Sequence, residues 1–263
     1  MDDRKILVLT GASRGIGHAT VKRFSTEGWR VITCSRHGFP ENCPWEAGPE
    51  DHLQIDLSSP DDVVRGAAEL LARLDGKPLH ALVNNAATSP KQADGGRLDC
   101  HLTPLEIWQQ VYQVNVFAAV QLAQKLAPAL RARTAILGNQ AILGNQGILG
   151  NQGSIVNVTS IAGSRVHEFA GSAYATSKAA LSALTREMAS DFGRLGIRVN
   201  AIAPGEINTE ILSPGSEKSI LPQIPLGRFG DANEVADTIF FLCSDQAHYV
   251  NGAEIHVNGG QHV

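Results

Sequence analysis

The sequence predicts an α/β protein with a doubly wound parallel sheet of seven strands and helices on both faces. Short apolar, β-branched runs alternate with longer amphipathic stretches, the pattern of parallel strands joined by crossover helices. A glycine-rich turn follows the first run. The chain has 263 residues, 43% of them hydrophobic, enough for a large core in one domain or two small ones. The continuous alternation favours one domain over residues 1–263.

The apolar runs place the strands in the order of the chain. They cover residues 6–9, 30–33, 53–55, 81–83, 155–158, 198–203 and 254–257. Capping boxes that begin at Ser59, Thr103 and Asp231 mark three helix starts independently. In each box a short polar side chain can accept from a first-turn N–H, and Pro60 and Pro104 would occupy the first helical position.

Residues 136–153 interrupt the alternation, because the hexapeptide Ile-Leu-Gly-Asn-Gln-(Ala/Gly) occurs three times in tandem. Three hexapeptides could form one coil of a parallel β-helix, but a single coil has no neighbour on which to stack. Gly-Asn in every repeat also disfavours a helix. We expect residues 134–152 to be a tandem expansion or engineered insert, forming an exposed loop between a helix that ends near Arg133 and a strand that begins at Ser154.

Charge and composition argue against several classes of protein. The net charge is −4 and the basic residues are scattered, which disfavours nucleic acid or an anionic membrane as a partner. The N-terminus runs directly into the first strand without a cleavage site, so we expect a cytoplasmic protein. No Cys-x-x-Cys, His-x-x-x-His or His-Glu-x-x-His spacing is present, which predicts no metal site and reduced thiols at Cys34, Cys43, Cys100 and Cys243.

The glycine turn, residues 11–17, lies between the first strand and a stretch compatible with a helix up to Gly28. Its glycines let the backbone turn tightly and approach a pyrophosphate, and the helix N-terminus offers unpaired N–H groups. A glycine-rich surface turn would have a similar sequence. The position after the first strand favours nucleotide binding.

The spacing Thr-Gly-x-x-x-Gly-x-Gly at residues 10–17 resembles the cofactor motif of the short-chain dehydrogenase/reductase family. The resemblance covers residues 4–260 except the repeat, and it includes Asn-Asn-Ala-Ala at 84–87, where Ala87 replaces the usual glycine. It implies a Rossmann-type fold, an oxidoreductase that uses NADP(H), and similarity to 3-oxoacyl-[acyl-carrier-protein] reductases. The residues that match the family's catalytic tetrad are Asn115, Ser160, Tyr174 and Lys178. The resemblance and the residues at the end of the second strand together predict the cofactor-binding set. It consists of Gly11, Ser13, Arg14, Gly15, Ile16, Gly17, Ser35, Arg36, Asp56, Asn84, Ala86, Tyr174, Lys178, Pro204, Gly205, Ile207 and Thr209.

The end of the second strand predicts which dinucleotide binds. NAD usually needs an acidic residue there, whereas the 2′-phosphate of NADP needs positive charge. Ser35 and Arg36 occupy this position, and Arg14 projects from the glycine turn toward the same corner. Charge-assisted hydrogen bonds to a phosphate contribute about 1.5–3 kcal/mol each, which favours NADP. Alternatively, both arginines are solvated surface charges.

The tetrad suits carbonyl reduction, which needs a hydride from the nicotinamide and a proton for the developing alkoxide. Tyr174 can donate this proton if its pKa is brought toward the working pH. Lys178 lies four residues later, on the same helix face, where its charge favours the phenolate and its ammonium can bind the nicotinamide ribose.

Two members of the tetrad, the serine and the asparagine, have an alternative interpretation. Ser160 precedes Tyr174 by fourteen residues, one more than is usual in the family, so Thr159 is an alternative as the hydroxyl that stabilises the substrate oxygen. Asn115 resembles the asparagine that holds a water next to the lysine, but a buried helix asparagine could equally be structural.

The sequence is compatible with three functions. The first is an NADP-dependent carbonyl reductase, with a 3-oxoacyl thioester as one substrate; the others are an NAD-dependent polyol or sugar dehydrogenase and a non-catalytic dinucleotide sensor. Specificity should come from residues 89–102 and 207–229, and Glu206, Glu210, Glu217 and Lys218 do not favour a slot for a long apolar chain. The resemblance also implies a homotetramer or homodimer, for which the apolar-striped segment 107–130 would supply a face.

Overall fold

A computed structural model describes residues 4–39, 48–130, 153–209 and 217–263. The seven strands within these ranges form one sheet, in the order β3-β2-β1-β4-β5-β6-β7, and all neighbouring pairs are parallel. The strands are β1 (Ile6–Thr10), β2 (Arg30–Ser35), β3 (His52–Gln54), β4 (Ala81–Asn84), β5 (Gly153–Val158), β6 (Ile197–Pro204) and β7 (Glu254–Val257). The predicted fold class is confirmed, and each predicted strand end lies within two residues of the observed one.

Helices connect the strands on both faces of the sheet. They are α1 (Gly15–Thr26), α2 (Pro60–Leu74), α3 (Leu105–Tyr112), α4 (Ala118–Leu130), α5 (Ser172–Gly193), the single turn α6 (Glu217–Ile220) and α7 (Ala232–Cys243). One π-helical turn, Gln113–Phe117, joins α3 to α4. Because the strand order reverses between β1 and β4, the connections after these two strands leave in opposite directions.

The alternation of side chains along each strand divides the apolar core into two layers. Leu7 of β1 packs in the layer that contains Phe24 of α1 and Ile239 of α7. Its neighbour Val8 points to the opposite face and packs in the layer that contains Leu70 of α2 and Leu122 of α4. Both faces of the central strands are therefore buried, which explains why the strands read as continuous apolar runs.

Two of the three predicted capping boxes mark helix starts as expected. Ser59 precedes α2 and its hydroxyl accepts from the Asp62 N–H at 3.2 Å, with Pro60 in the first helical position. Asp231 and Glu234 form a reciprocal capping box at the start of α7.

The prediction of a capping box at Thr103 is wrong. Helix α3 begins at Leu105, Pro104 is its N-cap residue, and no side chain caps it. The Thr103 hydroxyl donates instead to the Asp99 carbonyl, in a turn where the Asp99 carboxylate accepts from two backbone N–H groups. A competing side-chain-to-backbone hydrogen bond has removed the predicted cap.

The predicted insertion at 134–152, including the helix end near Arg133, lies outside the described residues. The residues on either side of it are in contact, since a Cβ on Gly153 would lie 2.2 Å from the Leu130 carbonyl oxygen. Gly153 is at the amino end of β5, whereas Ser160 follows its carboxyl end. Leu130 and Gly153 therefore lie side by side, at the edge of the sheet opposite Ser160.

Candidate active site

A cleft of about 800 Å³ opens at the carboxyl ends of the strands, where the strand order reverses. This is where open α/β sheets bind their ligands. Turns after six strands, β1 to β6, line it. The predicted site residues among its lining are Gly11, Ser13, Arg14, Gly15, Ile16, Gly17, Ser35, Arg36, Asp56, Ala86, Ser160, Tyr174, Lys178, Pro204, Gly205, Ile207 and Thr209. Asn84 and Asn115 are not among the lining residues.

The glycine turn has the geometry that close backbone approach requires. Gly11 has a φ of +70°, and a Cβ there would lie 2.7 Å from the Ala86 Cα. A Cβ on Gly17 would lie 2.0 Å from the Gly11 carbonyl oxygen. Helix α1 begins at Gly15, so its unpaired N–H groups and positive dipole end face the cleft. The turn fits a dinucleotide pyrophosphate.

The asparagine that ends β4 and the asparagine that follows it point to different places. The side chain of Asn84 is buried and donates to the Asn157 Oδ1 at 2.9 Å, between two strands. Asn85 lines the cleft, and its amide donates to the carbonyl oxygens of Thr10 and Gly11. The structure therefore does not bring the Asn84 side chain to the cofactor cleft, because successive strand residues face opposite sides. Asn85 instead fixes the start of the glycine turn.

The end of β2 lies at the corner of the cleft where the sequence predicts the cofactor's 2′-phosphate, and Ser35, Arg36 and Arg14 define this adenosine corner. Arg14 and Arg36 both line the cleft and are exposed, so their guanidinium groups are available to a ligand. Ser35 donates its proton to the His37 carbonyl at 2.8 Å. A phosphate accepts hydrogen bonds only, so the two arginines are better placed than Ser35 to bind it. His37 also lines the cleft, and no motif in the sequence predicts it there.

Asp56 lines the same corner of the cleft. Its carboxylate accepts from the N–H and the hydroxyl of Ser58, at 2.9 and 2.7 Å. These bonds stabilise the turn after β3, whose residues line the cleft. A smaller cavity of about 480 Å³, lined by Arg36 and Asp56 among others, adjoins this corner.

Ser160, and not Thr159, is directed at Tyr174. The Thr159 hydroxyl lies 2.7 Å from the Ile202 carbonyl and 2.6 Å from Glu254 Oε1, within the sheet. The Ser160 oxygen accepts from the Ala162 N–H at 3.1 Å and is hydrogen-bonded to the Tyr174 phenol. The geometry therefore selects Ser160 of the two candidate hydroxyls.

Tyr174 and Lys178 share one face of α5, one turn apart. The Lys178 ammonium lies 5.6 Å from the centre of the Tyr174 ring and donates to the Val158 carbonyl at 2.7 Å. Burial lowers the pKa of Lys178 to about 7. Burial also raises the pKa of Tyr174, and the Glu206 carboxylate raises it further, whereas the hydrogen bond with Ser160 lowers it. Activation of this phenol therefore depends on positive charge at Lys178 or at a bound cofactor.

Asn115 is buried in the π-helical turn, with its side chain fully used within the protein. Its Oδ1 accepts from the Thr88 N–H at 2.8 Å, and its Nδ2 donates to the Thr88 carbonyl and the Ser177 hydroxyl. It thereby ties the loop after β4 to α5, next to Lys178. These contacts describe a positioning residue, which is the structural alternative considered for this asparagine.

The loop after β6 closes the cleft against the glycine turn. A Cβ on Gly205 would lie 2.6 Å from the Asn258 Cβ, so a side chain there would displace the loop from β7. A Cβ on Gly15 would lie 3.3 Å from the Thr209 Cγ2, so the two loops nearly touch. Pro204 and Ile207 line the cleft between them. The predicted Glu210 lies outside the described residues.

Three charged or ionisable side chains at the far end of the cleft were not predicted as a cluster. They are Lys91, His167 and Glu206, from the loops after β4, β5 and β6. His167 Nε2 lies 2.7 Å from Glu206 Oε1. Glu206 was noted in the sequence only as one charge of a loop, because nothing in the local pattern links it to residues 91 and 167.

Neither a metal centre nor a membrane segment is found within the described ranges. Cys34, Cys100 and Cys243 are free thiols there, and no group of three His, Cys, Asp or Glu side chains could hold a metal ion. Cys43 lies outside the described residues. None of the described helices is both long and apolar enough to span a membrane.

Comparison with known proteins identifies the family. A family model described as short chain dehydrogenase matches residues 5–219. The chain belongs to the short-chain dehydrogenase family. Protein FixR of Bradyrhizobium diazoefficiens is 55% identical to it, over 98% of this chain and 87% of FixR. The 3-oxoacyl-[acyl-carrier-protein] reductase FabG of Aquifex aeolicus is 31% identical, over 97% of this chain and 96% of FabG.

A solved short-chain dehydrogenase has the same fold. The crystal structure of an oxidoreductase from Brucella ovis, in complex with a partially ordered NAD, has a TM-score of 0.79 and 56% identity, over 97% of this chain and 100% of that one. The resemblance found in the sequence is confirmed, and this short-chain dehydrogenase is an oxidoreductase that acts on CH–OH or C=O groups.

Proposed function

We propose that this short-chain dehydrogenase transfers a hydride between NADP(H) and a carbonyl or alcohol substrate. One observation carries the proposal. Tyr174 lines the same cleft as the glycine turn. Its phenol is hydrogen-bonded to Ser160, and the buried Lys178 ammonium lies one helical turn away. A proton donor, an oxyanion partner and a nucleotide cradle are thus combined in one site.

The residues of the chain have separable tasks. A bound nicotinamide would supply or accept the hydride. Tyr174 donates a proton to the substrate oxygen during reduction. Ser160 accepts from the Ala162 N–H and is hydrogen-bonded to Tyr174, so its hydroxyl lies beside the position that the substrate oxygen must occupy to receive the phenol proton. Lys178, held by α5, places its positive charge beside the phenol, and its ammonium can donate to the cofactor ribose. Asn115 holds α5 and the loop after β4 in register.

The proposed preference for NADP depends on the adenosine corner. Arg14 and Arg36 line it, and no acidic residue ends β2. Two guanidinium groups complement a phosphate dianion, whereas an NAD ribose is usually held by a carboxylate. The Brucella ovis relative contains NAD, so an NAD-linked polyol or sugar dehydrogenase is the competing enzyme. A non-catalytic sensor is a weaker alternative, because it would not need Tyr174 and Lys178.

Substrate, assembly and location belong to the proposal as well. The FabG relatives are named for 3-oxoacyl-[acyl-carrier-protein] reduction, which makes a 3-oxoacyl thioester one candidate substrate. We propose a homotetramer or homodimer in the cytoplasm, with residues 107–130 at a subunit contact. No nucleic acid or membrane partner is proposed for a chain with a net charge of −4.

A spectrophotometric screen tests the proposed activity. Carbonyl and alcohol substrates are offered with NADPH or NADH, and with the oxidised cofactors, while the nicotinamide absorbance is recorded. Tyr174→Phe should lower kcat at least about 100-fold and leave NADPH binding nearly unchanged, because only the proton donor is lost. Tyr249→Phe, at a residue 96% exposed, is the matched control. Turnover by Tyr174→Phe above a tenth of wild type would contradict the assignment.

A further inference from the structure

The far end of the cleft, beyond Tyr174, carries an arrangement that the proposed hydride transfer does not use. Lys91, His167 and Glu206 come from three different loops and all line this end. The side chains of His167 and Glu206 are only 12% and 14% exposed. Ionisable groups are rarely held this far from water without a partner or a task.

The hydrogen-bond network assigns the tautomer of His167. Its Nδ1 accepts from the Phe169 N–H at 3.3 Å and therefore carries no proton. The proton on Nε2 is then donated to Glu206 Oε1, 2.7 Å away. The imidazole thus orients the Glu206 carboxylate through Nε2.

The other oxygen of Glu206 is left for a ligand. Within the described part of the chain, Glu206 Oε2 has no hydrogen-bond partner. Lys91 attracts the carboxylate, but its ammonium is itself hydrogen-bonded to the Phe169 carbonyl. A largely buried carboxylate that lines a cleft is stabilised by a hydrogen-bond donor that enters the cleft.

The carboxylate also lies near the reacting end of the site. Its charge acts on Tyr174, as the second cause that raises the pKa of the phenol after burial. An alkyl or acyl chain placed here would desolvate Glu206 without replacing its lost hydrogen bonds. A substrate carboxylate would be repelled by it.

We propose that Glu206, positioned by His167, selects substrates that carry a hydroxyl or ammonium group close to the reacting carbon. The inference rests on the proposed function, since it names the substrate class of the same site. It predicts diols, amino alcohols and their ketones, and disfavours long acyl thioesters.

Matched pairs of alcohols isolate this contact. Butane-1,2-diol and pentan-3-ol differ by a hydroxyl in place of a methyl beside the reacting carbon, and butane-1,3-diol and pentan-2-ol differ in the same way one carbon further out. The oxidation of each to its ketone is followed with the wild-type protein and NADP⁺. One of the two diols should exceed its partner at least about tenfold in kcat/KM, because a site built to bind a donor rejects the analogue without it.

Variants at Glu206 test the cause of that preference. Glu206→Leu should bring the diol ratio to about one. Glu206→Gln keeps an acceptor but loses the charge, so 1-aminobutan-2-ol should lose at least about tenfold relative to butane-1,2-diol. Glu168→Gln, at an exposed residue beside His167 in the same loop, should leave both ratios unchanged.

The outcomes separate this inference from the function on which it rests. Three outcomes would each overturn the role of Glu206. The first is equal kcat/KM within both pairs for the wild-type protein, and the second is a ratio of diol to mono-alcohol that is unchanged in Glu206→Leu. The third is a higher rate with a 3-hydroxyacyl thioester that Glu206→Leu does not affect. If Glu206→Leu is insoluble, an unchanged amine ratio in Glu206→Gln overturns it instead. Turnover of other carbonyl or alcohol substrates without turnover of any of these compounds also overturns the role of Glu206 alone, whereas no turnover of any substrate in the spectrophotometric screen contradicts the proposed function itself.

Discussion

The buried Lys178 should make the stability of the cofactor-free protein depend on pH in a narrow window. Its pKa is about 7 in the folded protein, against an ordinary value of 10.5. From pH 7 to pH 8.5 the folded state therefore loses this proton while the unfolded state keeps it, so the free energy of unfolding increases with pH. Linkage gives an increase of roughly 1.5 kcal/mol across this window.

Other titrating groups act mainly outside that window. Burial raises the pKa of Cys34 and Cys243 to about 12, so they reduce stability only when pH rises above the ordinary thiol value of 9.0. Burial lowers the pKa of His80 and His256, so their contribution is lost only as pH falls below 6.5. The rise between pH 7 and 8.5 therefore reports mainly on Lys178.

Urea unfolding of the cofactor-free protein at the two pH values, at one protein concentration, measures the effect. Lys178→Met keeps an unbranched apolar side chain in the same space and should abolish the rise. Lys125→Met, at an exposed position of α4, should retain it. The m value should stay constant, so that the change in midpoint reports stability. An equal pH dependence in wild type and Lys178→Met would refute the assigned pKa.

Further changes test the other parts of the site. Lys178→Ala should lower both kcat and NADPH affinity, measured by steady-state kinetics and fluorescence titration, because the lysine serves both the phenol and the ribose. Arg36→Asp should weaken NADPH binding by at least about 2 kcal/mol and shift preference toward NADH, with Arg194→Asp as an exposed control; an unchanged Kd would show that Arg36 faces solvent. Deletion of residues 134–152 should leave kcat/KM within about threefold, because Leu130 and Gly153 are already in contact; a soluble but inactive product would contradict this. Light scattering should give the mass of two or four chains, and a mass near 28.0 kDa would exclude both.

Local signals in the sequence were sufficient for much of the framework. Ser59 and Asp231 cap their helices as predicted because each bond spans at most three residues. The glycine turn and the spacing of Tyr174 and Lys178 are likewise fixed within one turn or helix face. The predicted cap at Thr103 was wrong because a competing acceptor for its hydroxyl, the Asp99 carbonyl, is equally near in the chain.

Residues one position apart could not be distinguished before the strands were in place. Asn84 and Asn85 have the same chemistry, and the pleat of β4 decided that Asn84 bonds to Asn157 while Asn85 faces the cleft. Ser160 and Thr159 were both candidates, and the turn after β5 directed only Ser160 to Tyr174. A shift of one residue reverses the face of a side chain, which composition and spacing do not reveal.

The sequence by itself determined the sheet, the nucleotide cradle and the spacing of the proton donor and its lysine, since these follow from periodicity and short-range motifs. Only the tertiary structure decided the electrostatics of the site. Lys178 has a lowered pKa because distant strands and helices bury it. His167 and Glu206 form their pair because the turns after β5 and β6 converge at one edge of the sheet. Burial and through-space charge depend on which segments meet, and no spacing along the chain encodes that directly.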